Sequence, residues 1–316
     1  MNQPVEETDI TPTIHVAPSP HVSSMAMTTR GMMRDVLIAL LPVVGAAFLF
    51  FGWLAAKQLL ICMAASLAAE ALFTHMRGRT LSLTDLSAAV TGLILGLSLP
   101  ATAPWYVGVI GAVVAIGIGK MVFGGLGMNI FNPAMVGRAF VMIAFAGSMA
   151  ASGYILPGER VDVISQATPL TAFKQSGATV PLAALFLGNV NGSLGETSAL
   201  ACLLGGIYLC VRRAASWETP AGILLSALAI AGAVNLSNLG AAWTVLHQLA
   251  GGSLFFGAFY IATDPITSPL TARGRWIYGI GIGLVVMLLR YFSGYPEGVM
   301  FAVLLMNAVT PLINRW

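Results

Sequence analysis

The sequence predicts an all-α integral membrane protein of about ten transmembrane helices, and three observations support that fold class. Only 9% of the residues are charged and 57% are hydrophobic, whereas a water-facing protein carries about a quarter charged residues. The mean hydropathy is +0.86. Apolar runs long enough to cross a bilayer recur along the chain, and 35 glycines permit the close helix packing typical of membrane bundles.

A crossing helix needs about 20 apolar residues. The first run, 36–56, begins at Val36, where a polar N-terminal segment (1–34) with Glu6, Glu7 and Asp9 gives way. That segment lacks a signal-peptide pattern. The second, 58–76, lies between Lys57 and the Arg77/Arg79 pair. The third, 86–101, leads into Pro100 and Pro104, which suit turns. The fourth, 105–126, opens on Trp105, an interfacial ring. The fifth, 134–152, follows Asn132-Pro133. A polar segment, 153–195, separates it from the sixth, 196–211, which ends at Arg212-Arg213. The seventh is 218–235; the eighth, 244–263, carries His247 and stops before Asp264-Pro265. The ninth, 276–293, starts at Trp276 behind Arg273 and Arg275, and the tenth, 297–313, ends before Arg315. Residues 35–316 therefore form one membrane domain.

Positive charges in short loops orient such a chain. With the N-terminus in the cytoplasm, Arg30, Arg34, Arg77, Arg79, Arg212, Arg213, Arg273, Arg275 and Arg315 fall inside, against Lys57, Arg160 and Lys174 outside. Both termini are then cytoplasmic, and 153–195 lies on the outer face. Five runs per half suggest two five-helix inverted repeats. The stretches 125–140 and 262–276 look related, each placing Asn-Pro or Asp-Pro and an Arg at a cytoplasmic junction, where Arg138 would be an anchor.

The polar groups narrow the chemistry. The net charge of +3 shows no basic run, so nucleic-acid binding is excluded. Cys62, Cys202 and Cys210 lack CxxC spacing and suit core thiols, and no two of the four histidines have metal-ligand spacing. Glu70 and Lys120 lie inside apolar runs, where an ionisable group implies function or pairing. Glu70 pairs with Arg77 or Arg79, snorkels to the surface, or else serves an ion path. Asp264 and Asn132 are either helix caps or site residues.

Within 161–180, Asp162-Val-Ile-Ser165-Gln-Ala167-Thr168 resembles the flavin-transferase target Asp-Gly-x-Ser/Thr-Gly-Ala-Thr, departing from it at Val163 and Gln166. The leading acid selects Thr168 over Thr179, which follows a second Ser-Gly-Ala. Ser19-Pro20-His21, 119–140, 262–283 and 296–313 are similar to one family. It comprises the D subunit of the Rnf complex, the ion-translocating ferredoxin:NAD⁺ oxidoreductase, and the B subunit of the Na⁺-translocating NADH:quinone reductase; the short N-terminal segment favours the former.

The resemblance implies an electron-transfer subunit in the bacterial inner membrane, coupled to Na⁺ or H⁺ translocation. FMN is expected on Thr168 through a phosphoester, with Asp162, Ser165 and Ala167 recognised by the flavin transferase. A second, noncovalent flavin, riboflavin, is expected in the membrane domain near Asn129 and Asn132. Other Rnf subunits, carrying flavins and iron–sulfur clusters, are the expected partners. Glu70 matches an acid linked to Na⁺ uptake, with Asp264 and Lys120 as further ion-path candidates; Asn314 replaces an acid that often ends the last span. The competing class is a secondary transporter or channel without tethered flavin.

Overall fold

The computed structural model describes residues 28–79, 83–150, 153–154, 164–165, 168–237, 244–294 and 297–315. Asp162 and Ala167 lie outside them, and so do His15, His21 and Trp243.

Every predicted apolar run contains helix, with edges moved by local chemistry. Helix α1 (Thr29–Phe51) starts ahead of Val36 because the Thr28 hydroxyl caps it, accepting the Gly31 N–H at 3.1 Å. Gly52, at φ +55°, joins it to α2 (Trp53–Met76). Helix α3 (Ser87–Leu97) stops short of Pro100, and a turn closes Ala103 N–H onto the Pro100 carbonyl. Helix α4 (Trp105–Ile116) runs into a π-helical turn, Gly117–Met121, and does not reach residue 126. Helix α5 (Pro133–Ala144) is capped by Asn132 and is followed by α6 (Ala146–Ala150).

Strands β1 (Gly153–Tyr154) and β2 (Ile164–Ser165) pair antiparallel. Two short helices follow, α7 (Pro169–Ser176) and α8 (Leu182–Leu187). The sixth run becomes helical only at α9 (Ala199–Val211), capped by Ser198. Residues 190–198 ahead of it are buried but not helical. Their backbone is partly satisfied by the end of α3: Leu194 N–H bonds the Leu99 carbonyl at 3.1 Å, and Gly195 N–H bonds Leu97 at 2.7 Å. Irregular backbone survives at membrane depth only when protein surrounds it in this way.

Helix α10 (Glu218–Leu236) is continuous. The eighth run is broken into α11 (Val245–Ala250) and α12 (Leu254–Phe256), the latter continuing as a second π-helical turn, Gly257–Ile261. The break falls at Gly251–Ser253, where Gly252 sits at φ +72°. Helices α13 (Ala272–Phe292) and α14 (Val299–Ile313) close the fold.

Four helices, α1, α2, α10 and α13, are long and apolar enough to cross a membrane; α3, α4 with its π turn, α5, α9 and α14 are shorter. Outward-facing side chains on the long helices are themselves apolar, with Leu49 80% and Phe292 84% exposed. Helix α2 lies on α3 and α4, and α4 on α5; helix α10 lies on α11 and α13, and α13 on α14. The pattern Pro-x-Thr-x-Pro occurs at Pro100–Pro104 and again at Pro265–Pro269.

Candidate functional site

A cavity of about 670 Å³ opens between α1, α3, the π turn after α4, the start of α5, and the loop after the second π turn. It gathers Lys120, Asn129, Asn132 and Asp264, four residues that the sequence singled out separately. Ile94 and Tyr260 supply apolar wall. The stretches 125–140 and 262–276 both contribute to the wall of this cavity.

Asn132 is a helix cap and a wall residue at once. Its Oδ1 accepts the Met135 N–H at 3.2 Å, its Nδ2 donates to the Ile261 carbonyl at 3.4 Å, and its backbone N–H donates to Asn307 Oδ1 at 3.0 Å. Asn129 has capacity left: its Nδ2 donates to Phe131 at 3.2 Å, while its buried Oδ1 has no partner among the described residues. Asp264 does not cap α13; Thr271 does, with its hydroxyl accepting from Gly274 at 3.0 Å. The Asp264 carboxylate instead accepts the Ile266 N–H at 3.3 Å and the Thr267 hydroxyl at 3.2 Å, closing a turn over Pro265. Burial pushes the Asp264 carboxyl up to about 6 against those two hydrogen bonds.

Glu70 reaches neither of its expected partners. Its two oxygens accept from Lys120 Nζ at 2.8 and 2.7 Å, and both side chains are fully buried. The π turn directs Lys120 inward, where it also donates to Ser87, whose hydroxyl bonds Asp85. Arg77 and Arg79 instead donate to the carbonyls of Met121 and Gly124, fastening the loop after the π turn.

The larger cavity suits a planar, mostly apolar ring with one polar edge. Its walls are mainly apolar, and Asn129 Oδ1 offers an unused buried acceptor. Among the described residues no cluster of three or more His, Cys, Asp or Glu could hold a metal ion. Cys62 and Cys202 are buried free thiols, and Cys210 is half-buried.

Thr168 lies elsewhere, on a second cavity of about 280 Å³. It is half-buried and caps α7: its Oγ accepts the Thr171 N–H at 3.3 Å and lies 2.8 Å from Thr171 Oγ. Thr179 is exposed, outside any helix or strand. Beyond Thr168 the wall is formed by Leu185, Asn191, Glu196, Gly252 and Glu297. Arg138 does not anchor the first junction: its Nη2 lies 3.0 Å from Glu196 Oε1 and 3.9 Å from Glu297 Oε2. Arg290 approaches Glu297 at 3.9 Å and donates to the carbonyls of Gln248 and Gly251. Lys174 donates to the Ser293 carbonyl at 3.0 Å, and partial burial followed by the Arg290 charge lowers its affinity for a proton.

Glu196 and Glu297 escape notice in the sequence, because they open the sixth and tenth runs and look like ordinary helix-end acids. The signal available was Arg138 and Arg290, two cations inside apolar runs that demanded buried anions.

The family described as NQR2, RnfD, RnfE matches residues 15–316 of the chain. The chain is 41% identical to the D subunit of the Na(+)-translocating ferredoxin:NAD(+) oxidoreductase complex of Acetobacterium woodii, with 95% of this chain and 92% of the relative covered. It is 42% identical to the D subunit of the ion-translocating oxidoreductase complex of Halorhodospira halophila, covering 90% and 89%. It is 37% identical to the D subunit of the proton-translocating ferredoxin:NAD(+) oxidoreductase complex of Clostridium ljungdahlii, covering 95% and 93%.

Proposed function

Because the chain belongs to the NQR2, RnfD, RnfE family, we propose that it is the D subunit of an Rnf-type ion-translocating ferredoxin:NAD(+) oxidoreductase complex. It relays electrons within the inner membrane beside subunits that carry other flavins and iron–sulfur clusters, and it completes no reaction alone. The chain crosses the membrane ten times as two five-helix inverted halves, with both termini in the cytoplasm and residues 153–195 outside. The Pro-x-Thr-x-Pro pattern supports this arrangement, since in inverted halves its two copies fall on opposite faces.

FMN esterified to Thr168 supplies one-electron chemistry at the outer face, and riboflavin held noncovalently in the larger cavity supplies it near the inner face. The chain's own residues do the holding. Thr168 caps α7, so a phosphoester on its Oγ meets the positive end of that helix and the Thr171 N–H. Asp162, Ser165 and Ala167 present the threonine to a flavin transferase. In the larger cavity Asn129 Oδ1 accepts from the polar edge of the ring, Asn132 fixes the entry of α5, and Lys120 places a cation at the wall. Glu70, Lys120 and Asp264 are the ionisable groups on the inner part of the path for Na⁺ or H⁺.

The observation that carries this reading is the convergence of Lys120, Asn129, Asn132 and Asp264 on one cavity in a chain with this family match. The test is in-gel flavin fluorescence of the denatured chain co-expressed with a flavin transferase. Fluorescence is expected in the unmodified chain and in Thr179→Ala, and none in Thr168→Ala. A dark unmodified chain, with the transferase active on another target, would move the assignment to a transporter or channel.

A further inference from the structure

We propose that Asp85, Ser87, Lys120 and Glu70 form a proton relay between solvent at the turn before α3 and the buried carboxylate of α2. The four side chains make one unbroken line of hydrogen bonds. Lys120 Nζ donates to Glu70 Oε1 at 2.8 Å, to Glu70 Oε2 at 2.7 Å and to Ser87 Oγ at 2.5 Å. Ser87 Oγ donates in turn to Asp85 Oδ1 at 2.6 Å. The Lys120 and Glu70 side chains are 2% and 0% exposed, and Ser87, the first residue of α3, is buried. Asp85, at the end of the short turn Leu83–Asp85, is only half-buried. The line therefore runs from a site without solvent to a carboxylate that water reaches.

Chemistry fixes the direction of each link. An ammonium only donates and an ionised carboxylate only accepts, so the Ser87 hydroxyl takes from Lys120 and gives to Asp85. A group that accepts on one side and donates on the other is what proton passing requires. Capping α3 does not account for that hydroxyl, because Asp85 Oδ1 already accepts the Ser87 backbone N–H at 2.8 Å. The other charged or titratable groups nearby are Arg77, which holds the Met121 carbonyl beside Lys120, and Asp264 and Tyr260, on the cavity wall that Lys120 and Ser87 share.

A proton held by Glu70 leaves in three linked transfers. Lys120 passes a proton to Ser87 Oγ, the Ser87 hydroxyl proton passes to Asp85, and Glu70 refills Lys120. Three bonds to hydrogen break and three form, no electron moves, and Asp85 ends protonated with Glu70 ionised. Rotation of the Ser87 hydroxyl reverses the sequence. The use of this relay in translocation rests on the reading of Glu70 and Lys120 as ion-path groups, which Asp85 and Ser87 extend to the surface.

The test is water exchange of the Lys120 ammonium, followed by NMR of the full chain in detergent at pH 7 with heavy nitrogen in its lysines. The chain has only Lys57, Lys120 and Lys174, so Lys57→Arg and Lys174→Arg assign the signals. Ser87→Ala removes the passing hydroxyl but keeps the Lys120–Glu70 pair and the backbone bond to Asp85. It should slow exchange about a hundredfold, the lower end of what a positioned proton-transfer group contributes. Asp85→Asn, which still caps α3, should slow it likewise, and Ser87→Thr should restore it. Loosened packing would speed exchange, so slowing separates a relay from structural damage. Exchange unchanged in Ser87→Ala and Asp85→Asn overturns the relay, because water then reaches Lys120 through the cavity. In the assembled complex in liposomes, Ser87→Ala should also slow ferredoxin-driven NAD⁺ reduction. Slowed exchange beside unaltered turnover would keep the relay and remove the ion-path reading.

Discussion

A buried ion pair contributes less through its own attraction than through what its loss leaves behind. Lys120→Met removes the ammonium that faces the fully buried Glu70 carboxylate and should cost about 3–5 kcal/mol. Lys120→Met with Glu70→Gln removes both charges and should recover most of that loss, read by thermal unfolding in detergent. Asp264 gives a pH signature. Its carboxyl titrates at about 6 in the fold against an ordinary 3.8, so the folded chain binds the extra proton between those values. Its stabilising contribution is present below about pH 4 and is lost as pH rises through 6. The thermal midpoint of the unmodified chain should therefore fall relative to Asp264→Asn between pH 4 and 6. On the proposed riboflavin site, Asn129→Ala should lower retention of noncovalent flavin about tenfold, as loss of one buried hydrogen bond would. The Asn132 cap was legible, because Asn-Pro fixes a helix start by local chemistry alone. The partners of Glu70 and Arg138 were not, because they lie far away along the chain.

Side-chain caps set the starts of α1, α5, α7, α9 and α13, and glycine sets close approaches between helices. A Cβ on Gly137 of α5 would meet the Gly111 carbonyl of α4, so Gly137→Ala forces the two apart. That overpacking should cost about 1–3 kcal/mol, measured as a lowered unfolding temperature. Helix α13 begins at Ala272, capped by Thr271, and takes in the arginines that the sequence set ahead of it, whereas the start of α5 could be placed from Asn132-Pro133. The ends of α3 and α4 and the break at Gly251–Ser253 could not, because the apolar run continues through them. A π-helical turn leaves no mark on hydropathy either, yet two of them, Gly117–Met121 and Gly257–Ile261, bring Lys120 and Tyr260 to the larger cavity.

At the scale of the molecule, the class and the family were readable from composition and motif, whereas the depth of each polar group was not. Orientation is testable with single cysteines on a cysteine-free background. Thr179→Cys should react with a membrane-impermeant maleimide in intact cells, and Arg273→Cys only after lysis; both positions are exposed. The reverse pattern would invert the topology. Helix α5 bears on both cavities: Asn132 at its cap lines one, and Arg138 holds the carboxyls that line the other. Six residues of helix separate them, about 9 Å at the usual rise. The hydrocarbon layer is about 30 Å thick. Were the two cavities open to opposite faces of a bilayer and filled with water, the membrane voltage would fall chiefly across that thin septum. An elementary charge crossing it would then meet nearly the full electrical work of about 2.3 kcal/mol per 100 mV over a fraction of the membrane's width.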